Sequence, residues 1–194
     1  MKILFISLGC DKNLADSEEM LGLLTGNGHE IVDSEEEADA IVINTCCFIH
    51  DAKEGSVNTI LEMAEYKKTG TCKILIVTGC MAQRYKEEIT KEIPEVDAVL
   101  GTTSYGDIVK ALNEAEAGHV FQEFKDINAL PEDSGRRVIT TGGHFGYLKI
   151  AEGCDKHCTY CIIPSLRGKF RSVPEERLLK QAEYMASQGV RELI

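Results

Sequence analysis

The chain has 194 residues, 43% of them hydrophobic, with 32 acidic against 21 basic side chains and a net charge of −11. That composition supports a packed core and excludes a disordered chain, and the negative charge argues against non-specific nucleic-acid binding through phosphate contacts. No run approaches the roughly 18 apolar residues of a membrane span, and "MKILFISLGC" is too short for a signal peptide, so a cytosolic protein off the membrane is expected.

Three apolar runs open the chain order. "KILFISLGC" ends at Cys10, "ADAIVINTC" at Cys46 and "CKILIVTGC" at Cys80, with endpoints 36 and 34 residues apart. Helical patterns lie between them. After Cys10, Asp16 and Glu19 have the spacing of an N-cap and its third-residue partner, and Met20, Leu21, Leu23 and Leu24 supply an apolar face. Gly26 and Gly28 stop that helix, and "HEIVD" reads as a short strand. The charge run 34–40, "SEEEADA", reads as a solvated helix start. Beyond Cys46, Val57, Ile60, Leu61 and Ala64 recur at helical spacing. Beyond Cys80, Ile89 and Ile93 lie one turn apart; "VDAVLG" follows as a strand and "YGDIVKALNEAEAG" as a helix with Ile108, Val109 and Leu112 inward.

Apolar strands alternating with helices predict an α/β fold with a parallel sheet covered on both faces. Ligands of such sheets bind at the carboxyl ends of the strands, where Cys10, Cys46 and Cys80 fall. Three strands that each run through Gly or Thr into a cysteine point to one shared site. Cys47 neighbours Cys46, but adjacent residues on an extended strand point oppositely, so Cys46 is taken as the ligand. Residues 125–137 lose apolar periodicity and read as a linker between a first domain, 1–124, and a second, 138–194, whose first clear strand is "GYLKIAEGC". "PEERLLKQAEYMASQGV" is an amphipathic helix with Leu178, Leu179, Ala182 and Met185, and "RELI" starts another strand. Strand, loop, helix and strand form the opening unit of a parallel barrel.

Eight cysteines in a reducing compartment call for metal or redox work rather than disulfides. Cys72, which opens an apolar run, reads as core. Cys154, Cys158 and Cys161 have the spacing C-x3-C-x2-C, unlike a ferredoxin run and unlike the paired ligands of structural zinc, for which His157 is badly placed beside Cys158. Three thiolates suit three irons of a 4Fe-4S cube with one iron left open, as catalytic metal sites keep an open position. Two other classes stay in view: an electron-transfer module with every iron protein-ligated, and a structural zinc protein.

"GCDKHCTYCIIPSLRGKFRS" resembles the radical S-adenosylmethionine enzymes, with Tyr160 at the aromatic position before the last cysteine. "SLGCDKNLADSE", "INTCCFI" and "VTGC" are similar to the N-terminal domain of the methylthiotransferases, and "CDKN" favours the branch that modifies a ribosomal protein over the branch that modifies tRNA adenosine. The resemblance implies a Rossmann/flavodoxin-like first domain and the start of a TIM-like radical domain. It implies two 4Fe-4S clusters, one on Cys10, Cys46 and Cys80 and one on Cys154, Cys158 and Cys161, with S-adenosyl-L-methionine on the open iron of the second. The implied reaction adds a methylthio group to the β-carbon of an aspartate in small-subunit ribosomal protein twelve. It uses one S-adenosylmethionine as methyl donor and another as radical source. An electron donor such as flavodoxin or ferredoxin is implied, with RNA contact mainly from a C-terminal domain. The chain is then expected to be an N-terminal fragment, inactive alone. Smaller expectations attach to Asn13, Asp16 and Ser17, which follow Cys10; to Asn44 and Thr45 near the second cluster; and to Arg167, which either meets a carboxylate or substrate or lies in a solvated basic loop. Helix capping is the stronger reading for Asp16.

Overall fold

The computed structural model describes residues 1–132 and 135–194; of the expected linker 125–137, residues 133 and 134 lie outside the described residues. In chain order, β1 (Lys2–Ser7) leads into α1 (Asp11–Gly26), β2 (Glu30–Val32), β3 (Ala40–Thr45), α2 (His50–Thr69), β4 (Ile74–Gly79), α3 (Cys80–Glu92), β5 (Ala98–Leu100), α4 (Ile108–Glu116) and β6 (Phe121–Glu123). The six strands form one parallel sheet in the order β2-β1-β3-β4-β5-β6. The chain winds one way from β1 to β2 and the other way from β3 onward, so the topological switch point lies between β1 and β3.

The period of two along a strand sorts the core into two layers. Ile41, Ile43, Leu75 and Val77 face Ile60, Met63 and Ala64 of α2 and Ala82 and Ile89 of α3. Ile3, Val42, Ile74 and Ile76 face Met20 and Leu24 of α1 and Ile108 and Leu112 of α4. Every residue of β3 and β4 is buried, which explains why both read as continuous apolar runs.

Several details depart from expectation. The run 34–40 makes only a single 3-10 turn, Glu35–Glu37, none of whose three residues is buried, and then enters β3 through the buried Ala38 and Ala40. Leu61 and Leu179 are exposed rather than inward. The short edge strand β6 has no counterpart in the sequence reading; it pairs with β5 through three residues.

The remainder of the chain continues with β7 (Phe145–Gly146), β8 (Ala151–Glu152), α5 (Ile163–Arg167), β9 (Arg171–Ser172), α6 (Glu175–Ser187) and β10 (Glu192–Leu193). The single strand expected across "GYLKIAEGC" is thus two short ones. β7 pairs parallel with β10 after the α6 crossover, whereas β8 pairs antiparallel with β9. The break between them coincides with the turning of Lys149 and Glu152 toward α1, described below. Among the described residues no helix is long and apolar enough to cross a membrane.

Candidate functional site

Strands β1, β3 and β4 are neighbours in the sheet, so Cys10, Cys46 and Cys80 leave its carboxyl edge side by side, at and next to the switch point. Cys10 is the N-cap residue of α1 and is exposed. Cys80 is the first residue of α3 and is buried, as is Cys46. Two glycines make the sharp exits from β1 and β4 possible. Gly9 has φ +108°, and a Cβ there would lie 2.9 Å from Cys46 Cβ and 3.2 Å from Cys46 Sγ. Gly79 has φ +92°, and a Cβ there would stand 2.5 Å from the Thr45 carbonyl oxygen. Both positions lie where only glycine is unstrained.

Side-chain amides and hydroxyls stitch these exits together. Asn13 Nδ2 donates to the carbonyls of Leu8 (3.0 Å) and Thr45 (2.9 Å), joining the ends of β1 and β3. Asn44 Nδ2 donates to Asn13 O and to Ser17 Oγ, both at 2.9 Å. Ser56 Oγ accepts from Cys46 N (3.0 Å) and donates to Cys46 O (2.8 Å). Thr45 Oγ1 donates to Thr78 O (2.5 Å), tying β3 to β4. Asn13, Ser17, Asn44 and Thr45 therefore order the backbone that carries the thiols, and Ser56 is a participant the sequence did not single out.

Burial pushes the Cys80 thiol up to about 11, against the pull of the nearby Arg167 guanidinium; the Cys46 and Cys47 thiols add to the rise. Its Sγ donates to Asn13 Oδ1 at 3.7 Å. A thiol so costly to ionise is no nucleophile at neutral pH, but a bound cation that replaces the proton removes that cost. Burial likewise raises Cys47, which lies in the apolar layer under α2 and α3, and Cys72, whose Sγ donates to Ile74 O at 3.3 Å. All eight cysteines are free. Among the described residues no three His, Cys, Asp or Glu side chains are already gathered into a cage for a metal ion.

The second thiol group lies on the loop between β8 and α5. Cys158 is exposed, and Cys154 and Cys161 are half-buried. The loop is pinned at its base: Cys154 N donates to Gly168 O (3.0 Å), Phe170 N to Asp155 Oδ1 (2.9 Å) and Cys161 N to Cys158 O (3.0 Å). His157 is exposed, and Tyr160 is 90% exposed.

One residue joins the two regions. Arg167, at the end of α5, is 3% exposed. Its guanidinium donates to Asn13 Oδ1 (2.6 Å), Asp16 Oδ2 (2.7 Å) and Glu152 Oε2 (3.0 Å). Of the two readings of Arg167, the carboxylate contact holds and the solvated basic loop does not. The capping reading of Asp16 is corrected, because Cys10 holds that position and Asp16 lies buried in the body of α1. Burial alone would push the Asp16 carboxyl up; Lys149 and Arg167 more than reverse this and hold it below the ordinary carboxylate range. Lys12 adds a third cation, 3.5 Å from Glu152 Oε1. A second tie lies two residues further along α1. Glu18, 0% exposed, accepts from Arg137 Nε (2.7 Å), Thr140 N (2.7 Å) and Thr140 Oγ1 (2.8 Å), with Arg137 Nη2 also 2.6 Å away. The acid run "ADSEE" carries no local sign of these partners, since the cations that meet it lie more than 100 residues further along the chain.

A family model described as "Uncharacterized protein family UPF0004" matches residues 2–101, from β1 to just past β5. Curated relatives named "Ribosomal protein uS12 methylthiotransferase RimO" are similar along the whole chain. The one from Lachnoclostridium phytofermentans is 64% identical over 194 residues. Those from Clostridioides difficile and Acetivibrio thermocellus are 50% and 49% identical. Each match covers 100% of this chain and 44% of the relative, so the chain spans less than half the length of these relatives.

Proposed function

The chain belongs to the uncharacterized protein family UPF0004, and on that premise we propose that it serves methylthio transfer to ribosomal protein uS12 by radical S-adenosylmethionine chemistry. The carrying observation is the delivery of three cysteines by three adjacent strands to one sheet edge, together with a C-x3-C-x2-C loop tied to that edge through a buried arginine. The names of the relatives favour a ribosomal-protein substrate over tRNA adenosine. The site reading extends to an aspartate β-carbon as the modified atom, to a cytosolic setting, to a flavodoxin or ferredoxin as electron donor, and to RNA contacts made outside this stretch.

Cys10, Cys46 and Cys80 would hold one 4Fe-4S cluster, and Cys154, Cys158 and Cys161 the other, next to S-adenosylmethionine. The donor set fits: six thiols in two groups of three, Cys46 Sγ lying against Gly9 with no side chain between, and a Cys80 proton that a metal would displace. When bound, such groups supply one-electron reduction and a sulfur site, which an unactivated C–H bond requires because it offers polar catalysis no acid and no leaving group. The chain's own residues do the rest. Gly9 and Gly79 let the backbone turn into the site, and Asn13 and Asn44 hold the strand ends in register. Burial of Cys46 and Cys80 keeps water from their sulfurs, while the exposed Cys158 and Tyr160 leave the other group reachable by a small molecule.

Iron and sulfide content after anaerobic reconstitution tests the reading. The chain is expected to take up two clusters, and Cys10→Ala and Cys154→Ala each to lose about half of the iron. Zinc in place of iron would overturn it. So would spectra indifferent to S-adenosylmethionine, which would point to an electron-transfer module. Added methylthio mass on uS12, and none on tRNA, is expected when the whole enzyme is incubated with each.

A further inference from the structure

We propose that Arg167 is a positioning residue that locks the helix leaving the second thiol loop onto the first thiol site and sets the electrostatic potential there. The inference rests on the reading of Cys10, Cys46 and Cys80 as a cluster site. Its ground is geometric. Asn13 Oδ1 accepts both from Arg167 Nη2, at 2.6 Å, and from Cys80 Sγ, at 3.7 Å, so the guanidinium and the thiol share one acceptor. Six residues separate Arg167 from Cys161 in sequence. A single side chain thus starts at the second group of cysteines and ends beside the first.

Both terminal nitrogens of its fork are used. One nitrogen, Nη1, binds Asp16 Oδ2 and Glu152 Oε2; the other, Nη2, binds the Asn13 amide. Asp16 and Asn13 both belong to α1, whose N-cap is Cys10, and Glu152 lies two residues before Cys154. A rigid guanidinium therefore spans the carrier of Cys10, the neighbour of Cys80 and the strand that enters the triad loop. Lysine, a point charge on a flexible stem, cannot make these three bonds at once. Around this centre the groups that bear charge are Asp16, Glu152, Lys149 and Lys12, with Glu19 acting on Asp16 and Lys149 from farther along α1; Lys12 is half exposed, whereas Arg167, Asp16 and Glu152 are buried. The guanidinium is the buried cation that shares an acceptor with Cys80, and it stabilises any group there that gains negative charge on reduction.

The test uses the chain with Cys154, Cys158 and Cys161 replaced by alanine, so that only the strand-end thiols can bind a cluster, reconstituted anaerobically with iron and sulfide. The readout is the midpoint potential by spectroscopic redox titration, with iron content measured alongside. Arg167→Met is expected to disfavour reduction about tenfold, equivalent to about 59 mV for one electron. Arg167→Lys is expected to stay within about threefold of the parent, and Asp16→Asn to shift the equilibrium the opposite way from Arg167→Met. Equal shifts for the Met and Lys variants would overturn the proposal, as would a potential indifferent to both Arg167→Met and Asp16→Asn at parental iron content. If Arg167→Met fails to fold, Asp16→Asn decides: easier reduction at parental iron content supports the proposal, and an unchanged or harder reduction overturns it. A parent background that binds no iron refutes the cluster reading itself, an outcome distinct from a cluster that binds and ignores Arg167.

Discussion

Glu18→Gln isolates one of the ties between α1 and the second segment. The substitution keeps the side chain's shape and removes its charge. In the parent, Oε2 serves Arg137 and Oε1 serves Thr140. An amide has one oxygen, so whichever way it turns, one set of donors faces an NH2 group. Either the two contacts to Arg137 or the two to Thr140 fail, at about 1.5–3 kcal/mol for each charge-assisted bond. In both cases Arg137, buried at 6% exposure, keeps a cation without a counter-charge. Breaking one side of a buried pair costs about 3–5 kcal/mol, a large share of the roughly 5–15 kcal/mol that stabilises a typical domain. Urea unfolding reads this directly: with m near 1–3 kcal/mol/M, the midpoint falls by at least about 1 M. The double variant Glu18→Leu, Arg137→Leu regains most of that loss, because removing both charges leaves nothing unpaired. A single-variant shift below about 0.3 M at unchanged m would refute the reasoning.

Glu19→Gln has a pH signature. Burial pushes the Glu19 carboxyl up, with Lys149 opposing. A folded value above the unfolded one gives stability that is full below the unfolded value and lost as pH rises through the folded one, so the variant should match the parent near pH 4 and exceed it increasingly toward pH 7 in thermal or urea unfolding; a difference that shrinks with rising pH would contradict this. Gly79→Ala forces a Cβ onto the Thr45 carbonyl at φ +92°, which should cost about 1–3 kcal/mol and reduce the iron held by the strand-end thiols while sparing that on the triad, measured by iron content in variants lacking one group or the other. Tyr160→Ala, at a site 90% exposed, should change the unfolding free energy by no more than about 0.5 kcal/mol in urea titration, and a larger loss would show that the ring packs.

The sheet and its thiols were legible because β1, β3 and β4 are apolar strands, the last two wholly buried, whose runs stop where a glycine or threonine hands over to cysteine. Periodicity could also place α2, α4 and α6, although it turned Leu61 and Leu179 the wrong way. What it could not show was the purpose of the acids in α1. Asp16 and Glu19 have capping spacing, yet the same spacing puts two acids on one helical face, and only the position of distant cations tells the two apart. Arg137, Lys149 and Arg167 lie more than 100 residues beyond these acids, so no local pattern connects them. For the same reason "GYLKIAEGC" read as one strand: the apolar alternation is there, but Lys149 and Glu152 are drawn to α1 and its partner arginine, and the ladder breaks between β7 and β8. The expected linker lost its periodicity without losing its contacts. Asn128 Oδ1 accepts from Lys169 N at 3.1 Å, and the Ala129 carbonyl from Arg171 at 3.2 Å.

The arrangement of α1 explains why the ties are ionic at all. Met20 and Leu24 bind the helix to the sheet through apolar contact, which resists separation but tolerates small slides, since its energy follows area rather than direction. Bonds from a planar guanidinium to carboxylate and amide oxygens are directional and fail on displacements of a fraction of an ångström. Two such ties, Glu18 with Arg137 and Asp16 with Arg167, stand two residues apart on α1, about half a turn round the helix. Together they restrain both translation and rotation of the second segment about α1. An apolar replacement at both ties is therefore expected to preserve stability better than position. The place where position matters most is the end of α1 that begins at Cys10 and touches Cys80 through Asn13.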